Sequence, residues 1–386
     1  MKIRKSKFLL FLLIVSPLLS VTGANDFSTS LNVASLVNLP SLNFINYLFL
    51  FIFFVGFVAM NGLKTWTNLI ITTCFVIVVI LILPRHFSFY AFLGIVAILS
   101  SFLVYMNDRS GLTDFDEREF RILFKVYWFY IIVGVVVHVY LVLRSGYYAD
   151  YRMMGIFKNP NQFGFFLVAV YIMYVIAIKG PSEVKGYIVF LAIAFLVVMT
   201  GSRSALLALL LIHLMHEFLN RKWVYLATLL PAGIILALFI LLVDADKVVA
   251  LISRREVSAV KDVGNMRLEI FKETWRTSTW EELVIGRDAS VGTNGMIFEQ
   301  RGEGSGIIWL DSLVTVLFYN WGLLGLGGFI FMVLIDIGTQ IPLITRNAMI
   351  ISLYVVASLF FVMGDYYPLP FLLVVLKNNL NGRRGD

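Results

Sequence analysis

Asp244–Asp311 reads DADKVVALISRREVSAVKDVGNMRLEIFKETWRTSTWEELVIGRDASVGTNGMIFEQRGEGSGIIWLD. This stretch is polar, charged and Gly-rich. On both sides of it, apolar runs long enough to cross a bilayer follow one another with short breaks. The contrast decides the fold. The apolar runs read as membrane scaffold, and the polar stretch reads as one large loop that the scaffold presents.

Composition agrees with that division. The 386 residues are 60% hydrophobic and 14% charged, whereas a soluble domain is nearer half apolar and about a quarter charged. The outward-alternating pattern of a β-barrel is absent. The sequence therefore predicts an all-α polytopic membrane protein with about 11–12 transmembrane helices. It is read as a single integral membrane domain over residues 1–386, with 244–311 as its large periplasmic loop. The formal charge of +7 reads as cytoplasmic Lys and Arg rather than as a nucleic-acid-binding surface, so no nucleic acid is expected as a partner. Cys74 is the single cysteine, so no disulfide and no Cys-based metal site forms within one chain.

The N-terminus carries Lys2, Arg4, Lys5 and Lys7 ahead of the apolar run Phe8–Leu19. Thr22–Ala24 resembles a signal-peptidase site, but in a chain of many spans the run reads as a first spanning helix with its basic end in the cytoplasm. Further spans are expected at Leu42–Met60, Thr67–Leu83, Phe87–Tyr105, Ile122–Leu143, Asn161–Ile178, Gly186–Met199, Arg203–Leu219 and Trp223–Val243. After the loop come Ser312–Ile335, Ala348–Met363 and the short Tyr366–Leu376, which contains Pro368 and Pro370.

Orientation follows from the short breaks. With Lys2–Lys7 inside, the inner breaks carry Lys64, then Arg109, Arg118 and Arg121, then Lys179 and Lys185, then Arg221 and Lys222, then Arg346, and finally Lys377, Arg383 and Arg384. The outer breaks carry only Arg85, Arg144, Arg152, Lys158 and Arg203. The excess of inner Lys and Arg sets this orientation. An odd number of spans precedes Asp244, so the loop is expected in the periplasm and the protein in the bacterial inner membrane.

Cations on the disfavoured side need a reason. The break Thr200–Arg203 is very short and holds Arg203 at a helix N-terminus, whose partial positive charge also favours anions. Ser202 suits the N-cap there. The alternative is an interfacial Arg that snorkels to headgroups. A second feature is Gly155–Asn161, GIFKNPN. Asn159 suits a cap and Pro160 the first helical turn, which leaves Asn161 and Lys158 without a structural task. Carboxamides beside a cation suit hydroxyl-rich or phosphate ligands.

Gly155–Gly164, GIFKNPNQFG, followed by Met199–Leu206, MTGSRSAL, resembles the O-antigen polymerase and O-antigen ligase family of bacterial envelope glycan assembly. Family members are similar in having a G-x-F-x-N-P-N helix start and a T-x-S-R-x-A turn. A large periplasmic loop with an early Arg and a closing helix rich in Gly and Leu come next. In this chain Arg267 is the loop arginine and Trp321–Gly327, WGLLGLG, opens the closing helix, so the resemblance covers residues 150–335.

The resemblance implies a metal-independent, inverting glycosyltransferase with no cofactor. Its donor would be an oligosaccharide on undecaprenyl pyrophosphate, with Arg203 and Arg267 holding the pyrophosphate. Lys158, Asn159, Asn161, Ser202, Arg152 and Arg287 are the expected substrate-binding residues. A chain-length regulator and a flippase are the implied protein partners, and the lipid bilayer is the surrounding medium. The four histidines, His86, His138, His213 and His216, do not cluster on the outer side, and His213 and His216 read as packing or interfacial residues.

One departure concerns the base. Ligases carry a histidine where the chain enters the closing helix, and this chain has Trp309–Ser312, WLDS. Asp311 reads either as a general base within reach of a sugar hydroxyl or as a helix cap. The departure favours a polymerase over a ligase. Within the loop, Asn265–Thr279 reads as a helix with Met266, Ile270 and Thr274 at helical spacing, and the Gly-rich half after Gly286 reads as irregular. Trp275, Trp280 and Trp309 suit either sugar faces or headgroups. The reading from another class is a transporter or flippase for a lipid-linked glycan. Such a protein would carry ionisable residues near the bilayer midplane, whereas here His138 is the main one.

Overall fold

The computed structural model of the chain describes residues 5–19, 52, 55–61, 68–70, 72–73, 76, 110–145, 153–157, 160–177, 183–219, 274–286, 296–299, 305–308, 318–319, 322–331, 334 and 372–376. Its body is all-α. The helices are α1 (Lys5–Leu19), α2 (Glu117–Ser145), α3 (Pro160–Ala177), α4 (Glu183–Thr200) and α5 (Arg203–Leu219). A short loop helix, α6 (Trp280–Ile285), and an apolar helix, α7 (Gly322–Phe331), follow.

Local chemistry explains the helix ends. At the start of α2, the Glu119 N–H donates to Asp116 Oδ1 at 2.8 Å and the Asp116 N–H donates to Glu119 Oε2 at 3.0 Å. This reciprocal cap satisfies donors that have no partner inside the helix. Glu117 and Glu119 also place negative charge in the first turn, where the helix dipole favours it. α3 begins at Pro160, whose fixed φ suits the first helical turn. α5 has the bounds that the sequence predicts, Arg203–Leu219.

α1 holds Pro17 inside it. Proline has no N–H, so the carbonyl one turn earlier, at Leu13, loses its helical donor. The Tyr127 hydroxyl of α2 donates to Leu13 O at 3.1 Å, and the Tyr130 hydroxyl donates to Ile14 O at 2.7 Å. Near the start of both helices the Ser6 hydroxyl donates to Glu119 Oε1 at 3.4 Å. α1 and α2 therefore run in the same direction.

α3 is the centre of the body. Its residues Phe163 and Phe165–Tyr174 are all buried, as expected of a helix that is apolar all round. Tyr127 of α2 meets Phe166, and Phe124 stacks on Tyr174, so α2 and α3 are antiparallel. Tyr171 lies against Phe190 of α4 and His213 of α5. The close approach of Gly164 to Ala205, together with the Tyr171–His213 pair, makes α3 and α5 parallel. One end of the bundle therefore gathers the end of α2, the start of α3, the end of α4 and the start of α5.

The outer faces of α2 and α4 are apolar. On α2, Phe129, Ile132, Val136, Val139 and Leu143 are exposed, and on α4, Ile188, Leu191, Phe195 and Val198. Their spacing of three and four residues puts each set on one helix face. Among the described residues one helix segment, Glu117–Tyr140, is long and apolar enough to cross a membrane. Shorter apolar helices are Ser6–Val15, Gln162–Ile176, Gly186–Thr200, Ala205–Leu214 and Gly322–Phe331. The spans expected at 87–105, 223–243 and 348–363 lie outside the described residues.

The loop contributes the β structure found among the described residues. Met296–Glu299 (β1) pairs antiparallel with Ser305–Ile308 (β2), in the register Met296↔Ile308. Part of the Gly-rich half, expected to be irregular, is thus a hairpin. Of its glycines, Gly306 lies within β2, opposite Phe298.

Candidate functional site

Both segments that carry the resemblance meet at the end of the bundle defined above. The Met153 N–H donates to Met199 O at 3.0 Å, which ties the approach to α3 to the last turn of α4. Gly155 sits at φ 59°, and a Cβ there would lie 2.7 Å from the Phe163 ring. A Cβ on Gly134 of α2 would lie 2.7 Å from Gly155 Cα. These glycines allow the backbone of the 153–157 turn to press between α2 and α3. Phe157, fully buried, packs its ring on Phe163 and Phe166 at centroid distances of 5.9 and 5.0 Å. The Gly and Phe of the G-x-F pattern thus serve the packing of the turn.

The connection between α4 and α5 is built by its own side chains. The Thr200 hydroxyl donates to Val197 O at 2.7 Å and accepts the Ser202 N–H at 3.1 Å. Gly201 turns the chain at φ 62°, and its N–H donates to Val198 O at 2.9 Å. Ser202 Oγ accepts the Ala205 N–H at 3.4 Å, the N-cap that the sequence suggested. Both Thr200 and Ser202 are buried. The turn is pressed onto α3, where a Cβ on Gly164 would lie 2.9 Å from Ala205 Cβ, 3.1 Å from Ser202 Cβ and 3.2 Å from Thr200 Oγ1.

Of the residues expected to bind substrate, Ser202 is buried and capping, Arg203 is the first residue of α5, and Asn161 is the second residue of α3. The last two therefore share the end of the bundle at which the segments meet. Asp311, Arg267, Lys158, Asn159, Arg152 and Arg287 lie outside the described residues. Thr200 and Gly164 were missed as positioning residues. A hydroxyl immediately before Gly201 was the available signal for the first; nothing in the sequence alone pairs Gly164 with Ala205.

The polar loop reaches the body through α6. Thr279 and Glu282 form a capping box: the Glu282 N–H donates to Thr279 Oγ1 at 3.3 Å, and the Thr279 N–H donates to Glu282 Oε2 at 2.8 Å. Gly286 closes the other end, its N–H donating to Glu282 O at 2.8 Å. The T-W-E-E pattern was the missed signal for this helix. α6 lies directly on Gly322, where a Cβ would come within 2.6 Å of Leu283 O and Val284 O. Gly322, at φ 61°, makes that approach possible. Trp275 stacks on Phe318, with centroids 6.3 Å apart and planes at 10°.

At the opposite end of the bundle, His213 is buried, with Nδ1 2.6 Å from the Tyr171 hydroxyl. Its ring lies face to face on Phe190 at 3.8 Å. The Tyr187 hydroxyl donates to Glu217 Oε2 at 3.3 Å. His213 thus has a packing environment, as the sequence expected. Among the described residues no group of three or more His, Cys, Asp or Glu is placed to hold a metal ion.

No protein-family model matches the chain, and no curated protein matches it.

Proposed function

We propose that the chain is a polysaccharide polymerase of the bacterial inner membrane, building O-antigen, capsule or exopolysaccharide at the periplasmic face. The observation that carries this reading is the union of its chemistry-bearing segments. Gly155–Gly164 and Met199–Leu206, far apart in sequence, meet through the Met153–Met199 hydrogen bond and the Gly164–Ala205 contact. That union brings the starts of α3 and α5, with Asn161 and Arg203, to one end of the bundle. The exposed apolar stripes on α2 and α4 support a lipid environment, since water would penalise such faces.

In this reading the acceptor hydroxyl attacks the anomeric carbon of the donor sugar. A glycosidic bond forms, the bond to the pyrophosphate breaks, and undecaprenyl pyrophosphate leaves with its electron pair. Arg203 and Arg267 stabilise the charge developing on the pyrophosphate through bidentate hydrogen bonds. Asp311 takes the proton of the acceptor hydroxyl. Inversion follows from a single displacement.

The surface glycan of a deletion strain tests the proposal. Loss of long chains with single repeats still on the lipid core is the expected result. Loss of all repeats from the core would mean a ligase, and unchanged glycan would contradict both. Accumulation of the lipid-linked repeat on the cytoplasmic leaflet would favour the flippase reading.

A further inference from the structure

We infer that Gly322 is a positioning residue: having no Cβ, it lets α6 latch onto the start of α7, and the latch holds the loop arginines where the donor's pyrophosphate binds; this rests on the polymerase reading. A Cβ at Gly322 would lie 2.6 Å from Leu283 O and 2.6 Å from both the carbonyl carbon and the oxygen of Val284. These are backbone atoms, so no change of rotamer relieves the clash. They are also locked within α6, where the Leu283 N–H donates to Thr279 O at 2.9 Å and the Gly286 N–H donates to Glu282 O at 2.8 Å. A side chain at position 322 therefore lifts α6 from α7. Gly322 also sits at φ 61°, a conformation that Asn adopts far more readily than Ala.

The latch has two points. At one, Leu283 is buried on Gly322 and Ile285 packs against the apolar core. At the other, Trp275 stacks on Phe318, four residues before Gly322. Between them Arg276, Thr277, Thr279, Trp280 and Glu281 are exposed. Segment 274–286 is thus held near its two ends, both times on the chain that enters α7. Arg287 follows Gly286 directly, and Arg267 comes seven residues before Thr274. The two loop cations expected to meet the donor therefore extend from the two held ends. A bidentate grip on a phosphate needs its guanidinium within a narrow range of position and angle. A loop freed from α7 supplies that geometry in only a fraction of its conformations, and apparent affinity falls by that fraction.

Amide hydrogen exchange and lipid binding by the full chain in nanodiscs test this. The probe is undecaprenyl pyrophosphate, the proposed leaving group, whose binding needs no turnover. Gly322→Ala and Gly322→Asn are expected to speed exchange of the Leu283 and Gly286 amides roughly tenfold or more. Both are expected to raise the Kd for the probe roughly tenfold. Trp275→Ala, which adds no atom, should move both readouts in the same direction. The Leu206 amide, which donates to Ser202 O at 3.0 Å, should exchange as in wild type throughout. Wild-type exchange at α6 in Gly322→Asn or in Trp275→Ala overturns the latch; Asn accepts the positive φ, so its Cβ is what that variant tests. Faster exchange at Leu206 as well overturns it too, since the substitutions then loosen the whole bundle. Faster exchange at α6 with an unchanged Kd, or no binding of the probe by wild type, overturns the positioning role. No polymer from the wild type overturns the polymerase reading alone, and the two readouts still decide the latch.

Discussion

Replacing Thr200 by Val removes one hydroxyl and almost no volume. That hydroxyl donates to Val197 O at 2.7 Å and accepts the Ser202 N–H at 3.1 Å, and Thr200 is fully buried. The substitution takes one hydrogen-bond partner each from an acceptor and a donor. Each loss costs about 1–3 kcal/mol where water cannot substitute, so a total of about 2–6 kcal/mol is expected. At roughly 2 °C per kcal/mol for a large domain, the midpoint should fall about 4–12 °C. The assay is thermal unfolding of the purified full-length protein in one detergent, followed by tryptophan fluorescence. Thr200→Ser keeps the hydroxyl and should remain near wild type. The turn also sets the start of α5, so polymer formation should fall in Thr200→Val beyond what unfolding explains. A Thr200→Val midpoint within error of wild type would refute the assignment of the turn's stability to this hydroxyl.

Further outcomes follow from α1 and from the charge pattern. Tyr127→Phe strips the donor from Leu13 O and should cost about 1–3 kcal/mol by the same melt. Combined with Pro17→Ala, which restores a helical N–H to that carbonyl, the loss should shrink, and a double-mutant cycle without coupling would contradict the account. Reporter fusions after Leu219 should read cytoplasmic and fusions after Ile252 or Arg287 periplasmic, because Lys and Arg crowd the opposite breaks. A cytoplasmic signal from the loop would remove the proposed site from the face where the donor glycan resides.

The helices were legible because their signals are local. α5 matches its expected bounds, and α3 and α4 start within a few residues of theirs, since capping residues and breaks act within one turn. Pro160 and Ser202 do at their helix starts what their chemistry suggests. What escaped depends on residues far apart in the chain. The donation of Tyr127 to the carbonyl that Pro17 orphans joins α1 to α2. The contact of Gly164 with Ala205 needs the crossing of α3 and α5. α6 was missed for another reason: apolar spacing pointed to Asn265–Thr279, and the capping box Thr279–Glu282 begins where that pattern ends. Apolar length announced the spans, yet α3, with 18 residues, measures about 27 Å at 1.5 Å per residue. A bilayer core is about 30 Å thick, so length alone does not identify it as a span.

Polymerisation by the purified protein tests the central claim most directly. Wild type, Arg203→Lys and Arg267→Lys would be reconstituted in matched amounts with the lipid-linked repeat, and the product ladders compared. Lysine keeps the charge and loses the bidentate fork. The account predicts long ladders from wild type and loss of most polymer from both variants at normal insertion. Wild-type chain lengths from both variants would contradict it, and would leave these arginines as interfacial anchors.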